Sequence, residues 1–202
     1  MLLRIHPENP SHRQIATVVQ SLRNDGVIIY PTDTVYGMGC DIFRPRALDR
    51  ILKIKGIRKK EANFSFICSE LSQVSHFTLP YDTSIFKLMK RCLPGPFTFI
   101  LKANNNVPDI FQSKKRTIGI RIPDHNIVRE IITELGNPIM STSIRDQDEI
   151  VEYTTDPELI HEKYMRLVDI VIDGGYGDNE PSTIIDCTGD EPEIIRQGKG
   201  IL

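Results

Sequence analysis

Apolar residues recur every three to four positions along several stretches of this chain, and each such stretch predicts a helix with one buried face. Over residues 11–25 the stripe is Ile15, Val18, Val19 and Leu22, with Ser11 placed to cap the start and Gly26 to stop the helix. Pro45 opens a second helix carrying Leu48, Ile51 and Leu52, which Gly56 ends. Residues 69–77 and 82–92 predict two more, the latter burying Ile85, Leu88, Met89 and Cys92. After Asp124, a candidate cap, comes the stripe Ile127, Val128, Ile131, Ile132 and Leu135, closed by Gly136; Asp156-Pro157 marks a further helix start.

Between the helices lie short runs rich in β-branched and aromatic residues: 27–30, 64–68, 97–101, 117–122, 138–142, 168–173, 182–187 and 193–196. Pro94-Gly95-Pro96 and Gly174-Gly175-Tyr176-Gly177 punctuate them as turns. Helices and strands are interspersed without strict alternation. The pattern therefore predicts an α/β fold of the α+β type, a twisted mixed β-sheet covered by helices, and leaves the strand order open.

The 202 residues and 23.0 kDa suffice for one sizeable core, so a single domain over 1–202 is expected. Hydrophobic residues at 40% and charged residues at 26% are ordinary globular usage, which argues against wholesale disorder. The longest apolar runs are of strand length, far short of the roughly 20 residues a spanning helix needs. Arg4, His6 and Glu8 interrupt the N-terminus before the apolar core of a signal peptide develops. Cys40, Cys68, Cys92 and Cys187 include no Cys-x-x-Cys pair, which speaks against a zinc site or a disulfide framework. Reduced, packed thiols and a cytoplasmic location are the expectation.

Net charge is only -2, yet residues 44–60 hold Arg44, Arg46, Arg50, Lys53, Lys55, Arg58, Lys59 and Lys60 against the single acid Asp49. A mildly acidic chain with one concentrated basic segment predicts local anion recognition, phosphate above all. Neither a Gly-x-x-x-x-Gly-Lys-Ser/Thr loop nor a Gly-x-Gly-x-x-Gly opening a helix is present, so side chains must hold such a phosphate. His-Glu-x-x-His and Gly-x-Ser-x-Gly are absent as well, and the five histidines lack metal spacing.

Polar strings do stand at strand ends: Pro31-Thr32-Asp33-Thr34-Val35-Tyr36-Gly37, Leu93-Pro94-Gly95-Pro96, Gly119-Ile120-Arg121-Ile122-Pro123, Ser141-Thr142-Ser143, Pro181-Ser182-Thr183-Ile184-Ile185-Asp186 and Arg196-Gln197-Gly198. Six strings in this order, from about residue 27 to 198, closely resemble the YrdC family of threonylcarbamoyl-AMP synthases. Two departures resemble its YciO branch. Lys55-Gly56-Ile57-Arg58 is one residue longer than the family's Lys-x-Arg and lacks the following proline, and Ser143-Ile144-Arg145 replaces Ser-x-Asn.

The resemblance implies a YrdC-like (DHBP synthase-like) fold in which the sheet and helices surround a large basic cavity. It also implies formation of threonylcarbamoyl-AMP and pyrophosphate from threonine, bicarbonate and ATP for tRNA modification. Magnesium would bridge the phosphates, with no metal held by the protein itself. Carried over residue by residue, Lys55 and Arg58 are catalytic. Thr32, Thr34, Arg121 and Ser141 bind threonine or its carbamate, and Tyr36 shapes the cavity. Ser143, Arg145, Ser182, Thr183 and Arg196 bind the nucleotide. Longer family members carry an extra C-terminal domain, and a chain ending at Leu202 is expected to close its site from within.

Each residue also has a plainer reading. Thr32-Asp33-Thr34 reads as a self-bonded turn, residues 53–60 as a solvated helix end, Arg121 as a sheet-edge ion-pair partner and Arg196 as surface decoration. A second function class, a non-catalytic module for tRNA or double-stranded RNA, would run phosphates along residues 44–60 and Lys114-Lys115-Arg116.

Overall fold

The computed structural model describes residues 1–58, 64–108, 111, 116–144 and 154–202. Among these residues ten strands join into one sheet. They are β1 (Leu2–Arg4), β2 (Ile28–Tyr30), β3 (Gly37–Asp41), β4 (Ser65–Ile67), β5 (Phe97–Lys102), β6 (Thr117–Arg121), β7 (Ile139–Ser143), β8 (Ile170–Asp173), β9 (Thr183–Asp186) and β10 (Glu193–Arg196). Their spatial order is β1-β8-β2-β3-β7-β4-β6-β5-β9-β10. β8 runs parallel to both β1 and β2, β4 to β6 and β5 to β9, and the remaining neighbours are antiparallel. The sheet is mixed, as the scattered helix and strand signals predict.

Helices cover both faces, which is why the central strands read as continuous apolar runs rather than as alternating ones. α1 (His12–Arg23) and α5 (Asn126–Leu135) pack Ile15, Val19, Leu22, Ile127, Ile131 and Ile132 against Ile28, Tyr30, Ile67, Ile139 and Ile170. On the other face α2 (Pro45–Lys55), α3 (Leu71–Phe77), α4 (Thr83–Cys92) and α6 (Pro157–Tyr164) contribute Leu48, Ile51, Val74, Met89 and Ile160. These meet Val27, Ile29, Phe66, Met140 and Val171. Successive residues of β2 thus belong to opposite cores, so a one-residue slip would interchange every contact. Each fully buried Ile contributes about 1.5–3 kcal/mol by leaving water.

Some end signals differ from expectation. Ser11 occupies the N-cap of α1 without a side-chain cap; only its carbonyl engages, accepting from Gln14 N and Ile15 N. The turn after α1 is made by Asp25, left-handed at φ 59°, one residue before Gly26. Asp124 does not cap α5: its carboxylate accepts from Arg129 Nη2 at 3.4 Å, while His125 takes the N-cap position. Asp156 behaves as expected and accepts from Glu158 N at 2.8 Å.

β1 and β3 are strands that periodicity misses. β1 is three residues long and exists by pairing with β8. β3 contains two glycines, ordinarily a poor strand composition. A Cβ on Gly39 would stand 2.5 Å from the Met140 carbonyl oxygen, so the close approach of β7 requires glycine there.

Candidate functional site

A cavity of about 710 Å³ opens over the middle of the sheet, lined by residues of β3 to β7, β9 and β10 and of the loop after β2. Thr32, Tyr36, Arg121, Ser141, Ser143, Ser182 and Arg196 all line it, so strings more than 160 residues apart in the chain meet in one hollow.

Arg121 ends β6 and is buried, with 8% of its surface exposed. Its Nη2 donates to Thr32 Oγ1 at 3.2 Å, to Thr34 Oγ1 at 2.7 Å and to Asp33 Oδ1 at 2.5 Å. The loop is itself tied: Thr32 Oγ1 accepts from Thr34 N at 3.0 Å and donates to the Val35 carbonyl at 2.8 Å. The self-bonded turn and the ion pair therefore both exist, but β6 lies inside the sheet between β4 and β5 rather than at its edge, and Thr32 and Arg121 line the cavity. Among the described residues Arg121 Nε and Asp33 Oδ2 are buried without a hydrogen-bond partner.

Ser141 on β7 accepts from Tyr30 OH at 2.5 Å. Burial pushes the Tyr30 phenol up to about 12, so it stays a neutral donor at physiological pH. Gly37 is needed here, since a Cβ would lie 2.9 Å from the Tyr30 ring and 3.0 Å from Ser141 Oγ. Tyr36 donates to the Gly175 carbonyl at 2.7 Å, and burial raises its phenol above the ordinary range.

At the other end of the cavity Ser182 Oγ lies 2.8 Å from Thr98 Oγ1. Its carbonyl accepts from Arg196 Nε at 3.2 Å and Nη2 at 2.7 Å. The pairing of β10 with β9 shifts between Ile194 and Arg196, and Ile195 at this irregularity lines the cavity beside Arg196. Arg196 is thus exposed, as a surface residue would be, yet its guanidinium is held on Ser182 and lines the cavity.

Other expected site residues sit elsewhere. Thr183 is fully buried and does not line the cavity. It donates to the Gly200 carbonyl at 2.6 Å and accepts from Gly198 N at 2.9 Å, fastening the C-terminal segment. The alternation of β9 turns Ser182 and Ile184 to the hollow and Thr183 away from it. Lys55 and Arg58 are not lining residues either. Gly56, left-handed at φ 62°, ends α2, and Lys55 Nζ reaches the carbonyl of the exposed Ser143 at 3.3 Å, touching the rim. Arg145 falls outside the described residues, as do Lys59, Lys60, Lys114 and Lys115.

The basic segment is partly spent on the fold. Arg50 Nη1 pairs with Asp169 at 2.8 Å, and Arg44 lies 3.8 Å from Asp41. Among the described residues the cavity lining carries two cations, Arg121 and Arg196, amid hydroxyls and apolar side chains. Burial pushes the Cys68 thiol up to about 12 and that of Cys187 to about 11, which leaves both protonated and poorly nucleophilic. Among the described residues no His, Cys, Asp and Glu side chains gather in threes as a metal cage, and no helix is long and apolar enough to cross a membrane.

Sequence reasoning passes over two residues of this site. Asp33 stands inside the first polar string, where its sequence signal is that of a turn alone. Lys199 had no signal beyond adjoining Gly198. Its Nζ donates to the Asp33 carbonyl at 2.9 Å and to Asp178 Oδ2 at 2.7 Å, clasping the loop after β2.

Comparison with known proteins supplies the frame for this geometry. YciO of Escherichia coli (strain K12) is 40% identical over 198 residues, covering 97% of this chain and 94% of that protein. A threonylcarbamoyl-AMP synthase of Coxiella burnetii (strain RSA 493) is 33% identical over 191 residues, covering 91% and 97%. The crystal structure of E. coli YciO superposes with a TM-score of 0.92 at 39% identity, covering 100% of this chain and 97% of that one. P. abyssi Sua5 complexed with L-threonine gives 0.88 at 25% identity over 98% of this chain and 57% of that one. The family model for Sua5, YciO and YrdC, described as "Telomere recombination", matches residues 20–198. With its sheet, its cavity strings and its relatives in agreement, this chain belongs to the Sua5/YciO/YrdC family.

Proposed function

We propose that this chain joins threonine, bicarbonate and ATP into threonylcarbamoyl-AMP or a close analogue, releasing pyrophosphate. The carrying observation is that a guanidinium-and-hydroxyl grip, Arg121 with Thr32, backed by the fully buried Thr34, shares one cavity with a second arginine, Arg196, seated on Ser182. A small amino acid and a polyphosphate call for such a pair of anion sites. Family relatives named threonylcarbamoyl-AMP synthase, and a Sua5 solved with L-threonine, support the reading.

In this scheme the planar fork of Arg121 takes the threonine carboxylate. The threonine amine, having lost a proton, adds to the bicarbonate carbon, and water leaves to give the carbamate. A carbamate oxygen then attacks the α-phosphorus of ATP, and the bond to the bridging oxygen of pyrophosphate breaks. The hydroxyls of Ser141 and Ser143 orient the carbamate. Arg196 neutralises phosphate charge, the Ser182 hydroxyl hydrogen-bonds a phosphate oxygen, and Thr183 fastens the segment that follows Arg196. Lys55, which touches the rim, meets the departing pyrophosphate with Arg58. Magnesium carried by ATP would add to this charge neutralisation, with no side chain of the chain assigned to hold it. Positioning and charge neutralisation carry such a transfer.

The test is pyrophosphate release from ATP, which should require threonine and bicarbonate together and collapse in Arg121→Ala. Release indifferent to threonine, or unchanged in that variant, would reject the reading.

A further inference from the structure

We propose that Asp33 is the positioning residue of the amino-acid grip: drawn onto Arg121 from the loop after β2, its carboxylate sets the direction in which the guanidinium meets the substrate. This rests on the synthase reading above and deepens it.

All side-chain hydrogen bonds of Arg121 among the described residues pass through one nitrogen. Nη2 has two hydrogens and faces three acceptors, Thr32 Oγ1, Asp33 Oδ1 and Thr34 Oγ1, while the buried Nε–H has none. Of the three acceptors only Asp33 is charged, and a charge-assisted bond is roughly twice as strong as a neutral one. Thr32 Oγ1 already serves Thr34 N and the Val35 carbonyl, so its hold on the guanidinium is divided.

The pair is a poor device for stability alone. An arginine and a carboxylate built for stability engage as a two-pronged fork, whereas here one oxygen meets one nitrogen and Asp33 Oδ2 and Arg121 Nε are left buried and unmatched. What the single contact fixes is orientation, with donors left for a ligand in a residue that lines the cavity. Asp33 is in turn anchored at its backbone, because its carbonyl accepts from Lys199 at 2.9 Å and the neighbouring Thr34 carbonyl accepts from Asp178 N at 3.1 Å. A side chain held at both ends transmits the position of the loop to the guanidinium.

The experiment compares the full chain with Asp33→Asn, which keeps the shape and loses the charge, and Asp33→Glu, which keeps the charge. Steady-state kinetics, melting temperature and a crystal structure of Asp33→Asn are the readouts. We expect Asp33→Asn to raise KM for threonine by about tenfold to a hundredfold with KM for ATP nearly unchanged, and Asp33→Glu to recover part of the loss. The Arg121 guanidinium should shift by about 1 Å in the crystal. An unchanged or lowered KM for threonine would overturn the proposal, since Asp33 would then merely neutralise Arg121. If Asp33→Asn does not fold, Asp33→Glu alone decides: a threonine-specific KM increase supports positioning, and no increase overturns it. If the parent chain makes no product with threonine, the synthase reading fails separately. The crystal then judges Asp33, a displaced guanidinium supporting the role and an unmoved one rejecting it.

Discussion

Lys199 Nζ lies 2.9 Å from the carbonyl oxygen of Asp33, 166 residues earlier in the chain, and the same ammonium holds Asp178 at 2.7 Å. The C-terminal segment is thereby tied to the loop after β2, whose Thr32, Val35 and Tyr36 line the cavity. Lys199→Ala should weaken threonine binding severalfold while costing little stability, about 0.2–1 kcal/mol for so exposed a pair. Calorimetric titration with threonine beside thermal melting checks the split; equal binding by the variant would show the clasp to be passive.

Acid should loosen the clasp in a defined direction. The Lys199 ammonium, together with backbone N–H groups, holds the Asp178 carboxyl below its ordinary value. A depressed folded-state value stabilises the protein above the unfolded value near 3.8 and is lost as pH falls through the folded value. Protection of the C-terminal amides against hydrogen exchange should therefore hold at pH 5 and above and decline below about pH 4. Lys199→Met should flatten that decline, because without the ammonium the folded value moves toward the unfolded one.

Tyr30 gives the opposite sign. Its phenol is raised to about 12 by burial, so its contribution is complete below the ordinary value of 10 and disappears as pH climbs toward 12. Tyr30→Phe strips the donor from Ser141 and should cost about 0.5–1.5 kcal/mol, read from denaturant midpoints. Alkaline melts of Tyr30→Phe should fall less steeply between pH 10 and 12 than those of the parent.

Arg196→Ala should separate nucleotide from amino acid. With the guanidinium on Ser182 gone, KM for ATP should rise about tenfold or more while threonine binding to the apo protein persists. Loss of both together would mean that Arg196 organises the whole cavity.

Gly37→Ala places a methyl 2.9 Å from the Tyr30 ring and 3.0 Å from Ser141 Oγ. Overpacking of this kind costs about 1–3 kcal/mol, so a folded but less stable protein with a distorted cavity wall is expected. Circular dichroism melts and pyrophosphate release would show both effects.

Much of this was legible in the residues themselves. The stripes of α1 and α5 marked their buried faces because a 3.6-residue period is a local property. The strings at Thr32, Arg121, Ser141, Ser182 and Arg196 located the cavity, since strand ends are where mixed sheets place ligands. What escaped is non-local. β3 is a strand because Met140 and its neighbours press against it, and nothing in Gly37-Met38-Gly39 announces that partner. Thr183 looked equivalent to Ser182 until the pleat of β9 sent one to the hollow and the other to the C-terminal segment. Asp33 was hidden by its own neighbours, because a polar triplet reads as a turn and its charge matters only once β6 brings Arg121 alongside.

The position of β2 beside β8 has a bearing on how the chain is made. Ile28 pairs with Ile170, so a strand near the start waits for one synthesised some 140 residues later. Until then β2 is paired with β3 on one edge only, and the core beneath α1 lacks Ile170 and Ile172. Emergence from the ribosome should thus leave a sticky, half-built intermediate for helpers to shield, and late truncations should aggregate rather than fold into smaller proteins.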